Sequence, residues 1–278
     1  MTRLRRVTIG VIGAGNMGEA LMKGLRAAGL SGRRLLVCEA RAALRQRVVR
    51  RYGVTVATLS ELAIRSDVVI LAVKPQDIQP VLGMLARSLP VRSRARVLVI
   101  SIAAGLTLRA LERRLGRCAV VRVMPNLAAK VGAAISAIAA GRWATAAHRA
   151  IARDIFACVG EVVELPERLF DAVTAISGSG PAYFFLIFQA LWDAGARAGI
   201  PRAVAQRLAV QTALGSAQLV KGSTDELEAL IMQVASKKGT TEAALKVLRR
   251  RDLAGTLHAG VLAAVKRSKE LSWLLSKS

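Results

Sequence analysis

The stretch VTIGVIGAGNMGEALMKGLRAAGL, Val7 to Leu30, contains three pieces in a fixed order. A short apolar run through Ile12 has the length and β-branched content of a buried strand. Gly13-Ala14-Gly15-Asn16-Met17-Gly18 follows at once. From there, apolar residues recur at helical spacing to Leu30. A G-x-G-x-x-G turn between strand and helix is the phosphate-binding arrangement of dinucleotide folds. Gly13 allows the tight turn, Gly15 lets the backbone approach a pyrophosphate, and Gly18 lets the helix pack closely. The free N–H groups and dipole at the helix start favour negative charge. Gly13, Gly15, Asn16, Met17 and Gly18 are therefore candidate cofactor-binding residues. A glycine-rich turn without a ligand is the competing reading, which the flanking strand and helix make the weaker one.

Outward from this turn the alternation continues through LLVC, VVILAV, VLVISIA and VVRV, each separated by a helix-length segment. Such a βαβ series predicts a doubly wound, Rossmann-type parallel sheet with right-handed crossovers and helices on both faces. After about Leu165 the strand signals stop and helical periodicity runs to the C-terminus. Helix starts are expected near Pro181, Pro201, Asp225, Thr240 and Asp252. The expected division is residues 1–165 as a dinucleotide-binding domain and 166–278 as an all-helical domain.

Composition narrows the function. The chain has 278 residues, 53% hydrophobic, enough for a sizeable core. The longest uncharged stretch, Ala172 to Trp192, is broken by Ser177-Gly178-Ser179-Gly180-Pro181, leaving too little apolar length for a membrane span. The basic start, Arg3 to Arg6, leads into the glycine turn and has no cleavage-like site after it, so a cytoplasmic protein is expected. Cys38, Cys118 and Cys158 are odd in number, widely spaced and without nearby histidines. That pattern fits reduced thiols and predicts no metal site. A net charge of +24 raises the question of polyanions, but the arginines are scattered and only 4% of residues are aromatic. No nucleic-acid partner is expected, and the charge reads as a solvated surface that favours an anionic cofactor.

About 20 residues beyond the glycine turn, where an acid conventionally holds the adenosine ribose, stands Glu39, followed by Arg41 and Arg45. Glu39 favours NAD through the 2′-hydroxyl, and Arg41 favours NADP through a 2′-phosphate, with the balance leaning to NADP. Ala72-Val73-Lys74-Pro75 follows the fourth strand at the carboxyl edge of the sheet, where ligands of doubly wound folds bind, and Pro75 fixes a bend there. Lys74 is long enough to reach a phosphate. Ala103-Ala104-Gly105 closes the next strand with small residues. Asn126, after Met124-Pro125, offers an amide donor and acceptor.

Taken together, Asp67-VVILAVKPQ-Asp77, Ser101-IAAGLT, Arg122-VMPN, Asp171-AVTAISGSGPAYFF and the C-terminal LHAGVLAAVKRSKEL resemble pyrroline-5-carboxylate reductase along essentially the whole chain. AVKPQ and TAISGSGPAY are the specific parts. The resemblance implies reduction of the cyclic imine 1-pyrroline-5-carboxylate to L-proline by NADPH or NADH. It also implies a helical substrate-binding and dimerisation domain, and a homodimer or higher homo-oligomer. The small residues around Ala104 leave room for a ribose or nicotinamide, unless they form only a plain strand-to-helix turn; the resemblance places Asn126 near the nicotinamide and Ser177 in the lining of the active-site cleft. Ser236, Gly239, Thr240 and Thr241 would then hold the substrate carboxylate, with the Thr241 hydroxyl near the ring nitrogen as the catalytic candidate.

Two departures from the family pattern stand out. Lys237-Lys238 replaces the usual Pro-Gly, removing a rigid φ and a residue free to take φ > 0, so a looser or reshaped turn is expected. Leu127-Ala128 stands where Thr-Pro is common. The altered loop keeps open a reductase of a related cyclic imine or keto acid. A non-enzymatic nucleotide- or polyanion-binding protein on the same fold is the third reading. A capping threonine with Glu242 in the first turn is expected to open the helix at Thr240.

Overall fold

The computed structural model describes residues 4–89 and 96–277; Arg3 of the basic start lies outside them. The first half of the chain alternates strand and helix: β1 Ile9–Ile12, α1 Asn16–Ala27, β2 Leu35–Cys38, α2 Ala42–Tyr52, β3 Thr55–Val56, α3 Leu59–Arg65, β4 Val68–Leu71, α4 Ile78–Ser88, β5 Leu98–Ser101, α5 Leu108–Leu115 and β6 Ala119–Met124. Then come β7 Ala134–Ala140, α6 Ala146–Ala157 and β8 Gly160–Glu164. The strands form one sheet in the order β3-β2-β1-β4-β5-β6-β7-β8.

The strands are short, continuous apolar runs because both sheet faces are covered. Alternate residues serve different cores. Val68 and Ile70 of β4 pack with Leu21, Met22 and Phe156 on one face. Val69 and Leu71 pack with Leu62, Leu82, Leu111 and Phe170 on the other. From β1 the chain winds outward through β2 and β3, then returns to β4 on β1's other side, paired in parallel with it. The order reverses between β1 and β4, so their carboxyl ends border the crevice in which doubly wound folds place ligands.

The sheet differs from the expected all-parallel series at its far edge. A 3₁₀ segment, Leu127–Val131, and Gly132 at φ +75° turn the chain back, so β7 runs antiparallel to β6, and β8 then lies parallel to β7. These two strands leave little sequence signal. AISAIAA is rich in alanine, and GEVVE is a half-exposed edge with two glutamates.

Beyond β8 the described chain is helical. Residues 1–179 with 264–278 form one compact unit, and 180–263 form a second. In the first, α7 Phe170–Val173 runs into a π-helical turn, Thr174–Gly178. The serine- and glycine-rich run is thus already helical before the glycine and proline expected to start the helix. The Thr174 hydroxyl donates to the Phe170 carbonyl at 2.7 Å and the Ser177 hydroxyl to the Val173 carbonyl at 2.9 Å. The end of the last helix, α12 Leu253–Lys277, belongs to this unit. The Ser268 hydroxyl donates to Asp171 at 2.6 Å, and the Gln79 amide to the Leu275 carbonyl at 3.2 Å.

The second unit holds α8 Gly180–Arg197, α9 Arg202–Gly222, α10 Leu227–Val234, α11 Thr240–Arg250 and the first part of α12. α8 and α9 close on each other where Gly195 leaves no room for a side chain beside Ala205. Phe188 and Trp192 stack with ring centroids 6.4 Å apart. Large apolar side chains elsewhere in this unit face outward: Phe184 is 60% exposed, Leu186 68%, Leu219 68% and Leu262 67%. So much exposed apolar area on one unit marks an association surface.

Candidate functional site

The glycine turn shows why each glycine is where it is. Gly13 has φ +101°, and a Cβ there would sit 2.7 Å from the Ala72 carbonyl oxygen. At Gly18 a Cβ would fall 2.1 Å from the Gly13 carbonyl oxygen. These two contacts press β1, α1 and the chain leaving β4 together. Gly15 differs: nothing lies within 4 Å of where its Cβ would be. Gly15 is also the N-cap of α1 and makes no side-chain cap. Open space at that point, in front of the unpaired first-turn N–H groups of a helix, has the shape and polarity that a pyrophosphate requires.

Glu39 lies at the end of β2 and is only 8% exposed. One carboxylate oxygen accepts from the Ala14 N–H at 2.7 Å, tying the acid to the glycine turn. The other accepts from the Arg41 backbone N–H and Nε, both at 2.9 Å, while Arg41 Nη2 donates to the first oxygen at 3.2 Å. Arg45 donates to the Glu39 carbonyl at 3.0 Å. Burial opposes ionisation of this carboxyl. The side-chain and backbone hydrogen bonds from Arg41, the Ala14 N–H and the Arg41 charge outweigh it and hold the pKa down to about 2. The carboxylate is saturated with donors, while the Arg41 side chain remains 61% exposed.

The other expected cofactor residues lie around the same edge. Ala72 donates its N–H to the Ile12 carbonyl at 2.8 Å, and Val73 packs against Gly13. Lys74 is exposed and caps the 3₁₀ turn Pro75–Asp77. Ala104 is half-buried beyond β5, next to Gly105 at φ +80°. Asn126 follows β6, and its Oδ1 is buried without a hydrogen-bond partner among the described residues. A buried acceptor left open suits an amide donor such as that of a nicotinamide carboxamide. The space at Gly15 and the open acceptor of Asn126 both fit a bound dinucleotide.

Ser177 is half-buried in the π-helical turn, and its hydroxyl hydrogen is used on Val173. Ser236, Gly239, Thr240 and Thr241 stand in the second unit at the start of α11, with Thr241 half-buried and Ser236 and Thr240 exposed. The cap there differs from expectation. Gly239, not a threonine, is the N-cap, and Glu242 turns back to accept from the Lys238 N–H. The loop closes all the same, with the Gly239 N–H donating to the Ser236 carbonyl at 3.0 Å. Lys238 achieves this at φ +57°, in the turn position that favours glycine. Left-handed backbone costs an L-residue about 1–2 kcal/mol, a cost that a glycine at this position would not carry.

Two residues gain importance only from the structure. Arg122 in β6 and Glu167 form a largely buried ion pair at 2.9 Å. Arg122 was visible only inside a motif and Glu167 as one of many charges, because nothing local in the sequence reports a contact across 45 residues. Among the described residues no group of three or more His, Cys, Asp or Glu is placed to hold a metal. Cys38, Cys118 and Cys158 are not joined in disulfides, and no described helix is long and apolar enough to cross a membrane.

A doubly wound sheet with this turn, followed by an apolar helical unit, defines the class of nicotinamide-dinucleotide oxidoreductases with a helical C-terminal domain. Comparison with known proteins agrees. Residues 8–105 match the NADP oxidoreductase, coenzyme F420-dependent family model, and residues 167–271 match the pyrroline-5-carboxylate reductase dimerisation model. A pyrroline-5-carboxylate reductase of Synechocystis is 41% identical over 267 residues, covering 95% of this chain and 98% of that protein. The one from Arabidopsis thaliana is also 41% identical, over 95% of each chain. Among solved structures, a pyrroline-5-carboxylate reductase from Coxiella burnetii superposes with a TM-score of 0.88 at 34% identity, covering 96% of this chain and 98% of its own. A pyrroline carboxylate reductase from Plasmodium falciparum with NADP bound gives 0.87 at 29% identity, over 97% and 99% of the two chains. The chain belongs to the pyrroline-5-carboxylate reductase family.

Glu39 yields a pH prediction. Its pKa is lowered on folding, so its contribution to stability is complete above about 4.5, the value of an unperturbed glutamate, and is lost as pH falls toward 2. Because Arg41 is exposed and screened by water, the contribution at neutral pH is on the order of 1–3 kcal/mol. Urea midpoints of wild type and Glu39→Gln should differ most above pH 5 and draw together as the pH falls from there toward 2; a gap that stays constant would rule out the charge as its source.

Proposed function

We propose that this chain reduces 1-pyrroline-5-carboxylate to L-proline, taking NADPH in preference to NADH. The observation that carries the reading is the full-length likeness to curated pyrroline-5-carboxylate reductases, with near-complete coverage in both directions. When bound, the reduced dinucleotide supplies a hydride to the imine carbon. The protein binds, orients and stabilises charge.

Gly15, Asn16, Met17 and Gly18 hold the pyrophosphate through backbone N–H groups and the dipole of α1, while Gly13, whose own N–H donates to the Cys38 carbonyl at 2.8 Å, makes the tight turn that brings them to it. Ala72, Val73, Lys74 and Pro75 flank it from the end of β4, with the Lys74 ammonium available to a phosphate. Asn126 fixes the carboxamide beside Ala104. Glu39 has both oxygens engaged, so accepting a ribose 2′-hydroxyl would break contacts it already makes. Its role is to hold Arg41 in place for a 2′-phosphate, with Arg45 alongside. This assigns NADPH preference to a locked acid and an exposed arginine.

The division of labour follows the sequence boundary: residues 1–165 take the cofactor, and 166–278 take the substrate and carry assembly. Ser177 lines the substrate site. Ser236, Gly239, Thr240 and Thr241 hold the substrate carboxylate at the first turn of α11, where unpaired N–H groups and the helix dipole favour an anion. Lys237 and Lys238 add positive charge to that loop. The imine takes its proton from water, and the resulting iminium nitrogen is polarised by the Thr241 hydroxyl. The outward apolar surface of the second unit is covered by a second copy of the chain, giving at least a dimer.

Loss of reduced-nicotinamide absorbance with pyrroline-5-carboxylate tests the activity. Turnover should be faster with NADPH than with NADH, and Arg41→Ala should lower the NADPH-to-NADH ratio of kcat/KM by at least about tenfold, as loss of a charge-assisted phosphate contact requires. No turnover, or a preference for NADH, overturns the respective part. Thr241→Val should lower kcat/KM by roughly a hundredfold, the scale of one oriented polar group in a transition state; an unchanged value removes Thr241 from the chemistry. Light scattering at micromolar concentration should show a dimer or larger, and a monomer would contradict the assembly.

A further inference from the structure

We infer that Arg122 and Glu167 form a positioning clamp that sets the Met124–Asn126 segment against the Thr174–Gly178 turn. The two segments come from distant parts of the chain, and under the proposed function one carries Asn126 and the other Ser177. The inference rests on that reading for the roles of Asn126 and Ser177, not for the geometry.

Arg122 is 4% exposed in β6, two residues before Met124. Its Nη1 donates to Glu167 at 2.9 Å, and its guanidinium carbon lies 4.9 Å from the centre of the Phe170 ring. Glu167 and Phe170 belong to the segment that leads into α7 and the π-helical turn. The same Glu167 oxygen accepts from the Leu108 N–H at 2.7 Å, at the start of α5. One carboxylate therefore pins three elements, and its charge suits the positive end of α5. The segments also meet beyond the ion pair. A Cβ on Gly178 would fall 2.5 Å from the Met124 terminal methyl carbon, so no side chain fits between them.

The chemistry of the pair suits alignment more than stability. Burying two charges is costly, and well-packed apolar residues of like volume hold a core together as well or better. Arg122 also has a second terminal nitrogen, Nη2, buried without a hydrogen-bond partner among the described residues. What the ion pair offers that an apolar pair does not is direction. A planar fork bonded to a fixed carboxylate and stacked on a ring allows one geometry. A shift of about 1 Å in a substrate-positioning element can cost on the order of a hundredfold in rate, so a fixed geometry here matters to the reaction.

The test compares wild type, Glu167→Gln, Arg122→Met and Arg122→Lys in the full chain. It measures thermal midpoint, NADPH dissociation constant, emission of bound NADPH, kcat, and the deuterium isotope effect with NADPH labelled at the transferred position. Wild-type turnover decides the proposed function alone; the emission of bound NADPH reads the clamp whether or not turnover occurs. Glu167→Gln keeps an acceptor of the same shape. It should fold and bind NADPH within about twofold of wild type, yet show altered bound-cofactor emission, kcat lower by about tenfold or more and a larger isotope effect. Arg122→Lys, which keeps the charge and one donor to Glu167, should recover part of the loss seen with Arg122→Met. If Arg122→Met does not fold, Glu167→Gln and Arg122→Lys decide. Folded variants that match wild type in emission, kcat and isotope effect while losing only thermal stability would overturn the clamp.

Discussion

The structure depends on a distance between two backbones. Where β1 ends and the chain leaves β4, Gly13 and the Ala72 carbonyl approach more closely than any side chain would allow, and Gly18 meets Gly13 in the same way. The sheet reverses its winding at this pair of strands, so the contact fixes the floor of the crevice as well as the packing of α1. Between the two crowded glycines lies Gly15, where space is left open. Tightness on either side and vacancy in the middle come from one turn, and each requires the absence of a side chain for a different reason.

Electrostatics elaborate this frame. On a chain with a formal net charge of +24, the acids that matter are the ones whose oxygens are committed. Glu39 joins the glycine turn to Arg41, and Glu167 joins β6 to the start of α5. Both use a carboxylate to fix a guanidinium, with different results. Arg41 is left facing water, available to an anion, whereas Arg122 is enclosed and can act only on its neighbours. Exposure, not residue type, separates a binding arginine from an aligning one.

Much of this was legible in the sequence because the signals were local. A glycine turn between strand and helix, apolar runs at regular spacing and the AVKPQ and TAISGSGPAY stretches each report their own surroundings. What escaped depended on distant partners. Alanine-rich β7 has weak strand propensity and is held by pairing with β6. Phe170–Gly178 is helical with a wide π turn, and its threonine and serine hydroxyls bond back to the preceding turn, so residues that read as a helix start sit inside one. Lys238 takes a left-handed conformation because the Ser236–Gly239 turn demands it, which no propensity of lysine would suggest. The competing signals at Glu39 and Arg41 were visible as residues; their mutual engagement was not.

The sheet's two margins show how the molecule guards against its own copies. At one margin β3 is two residues long; at the other β8 reads Gly160-Glu161-Val162-Val163-Glu164, with both glutamates at the surface. Unpaired strand edges invite pairing with any similar edge, and a short strand or charged side chains along the edge discourage it. Margins of this kind disfavour extended, fibre-like stacking through the sheet and leave the outward apolar faces of the helical unit as the surface suited to contact between copies.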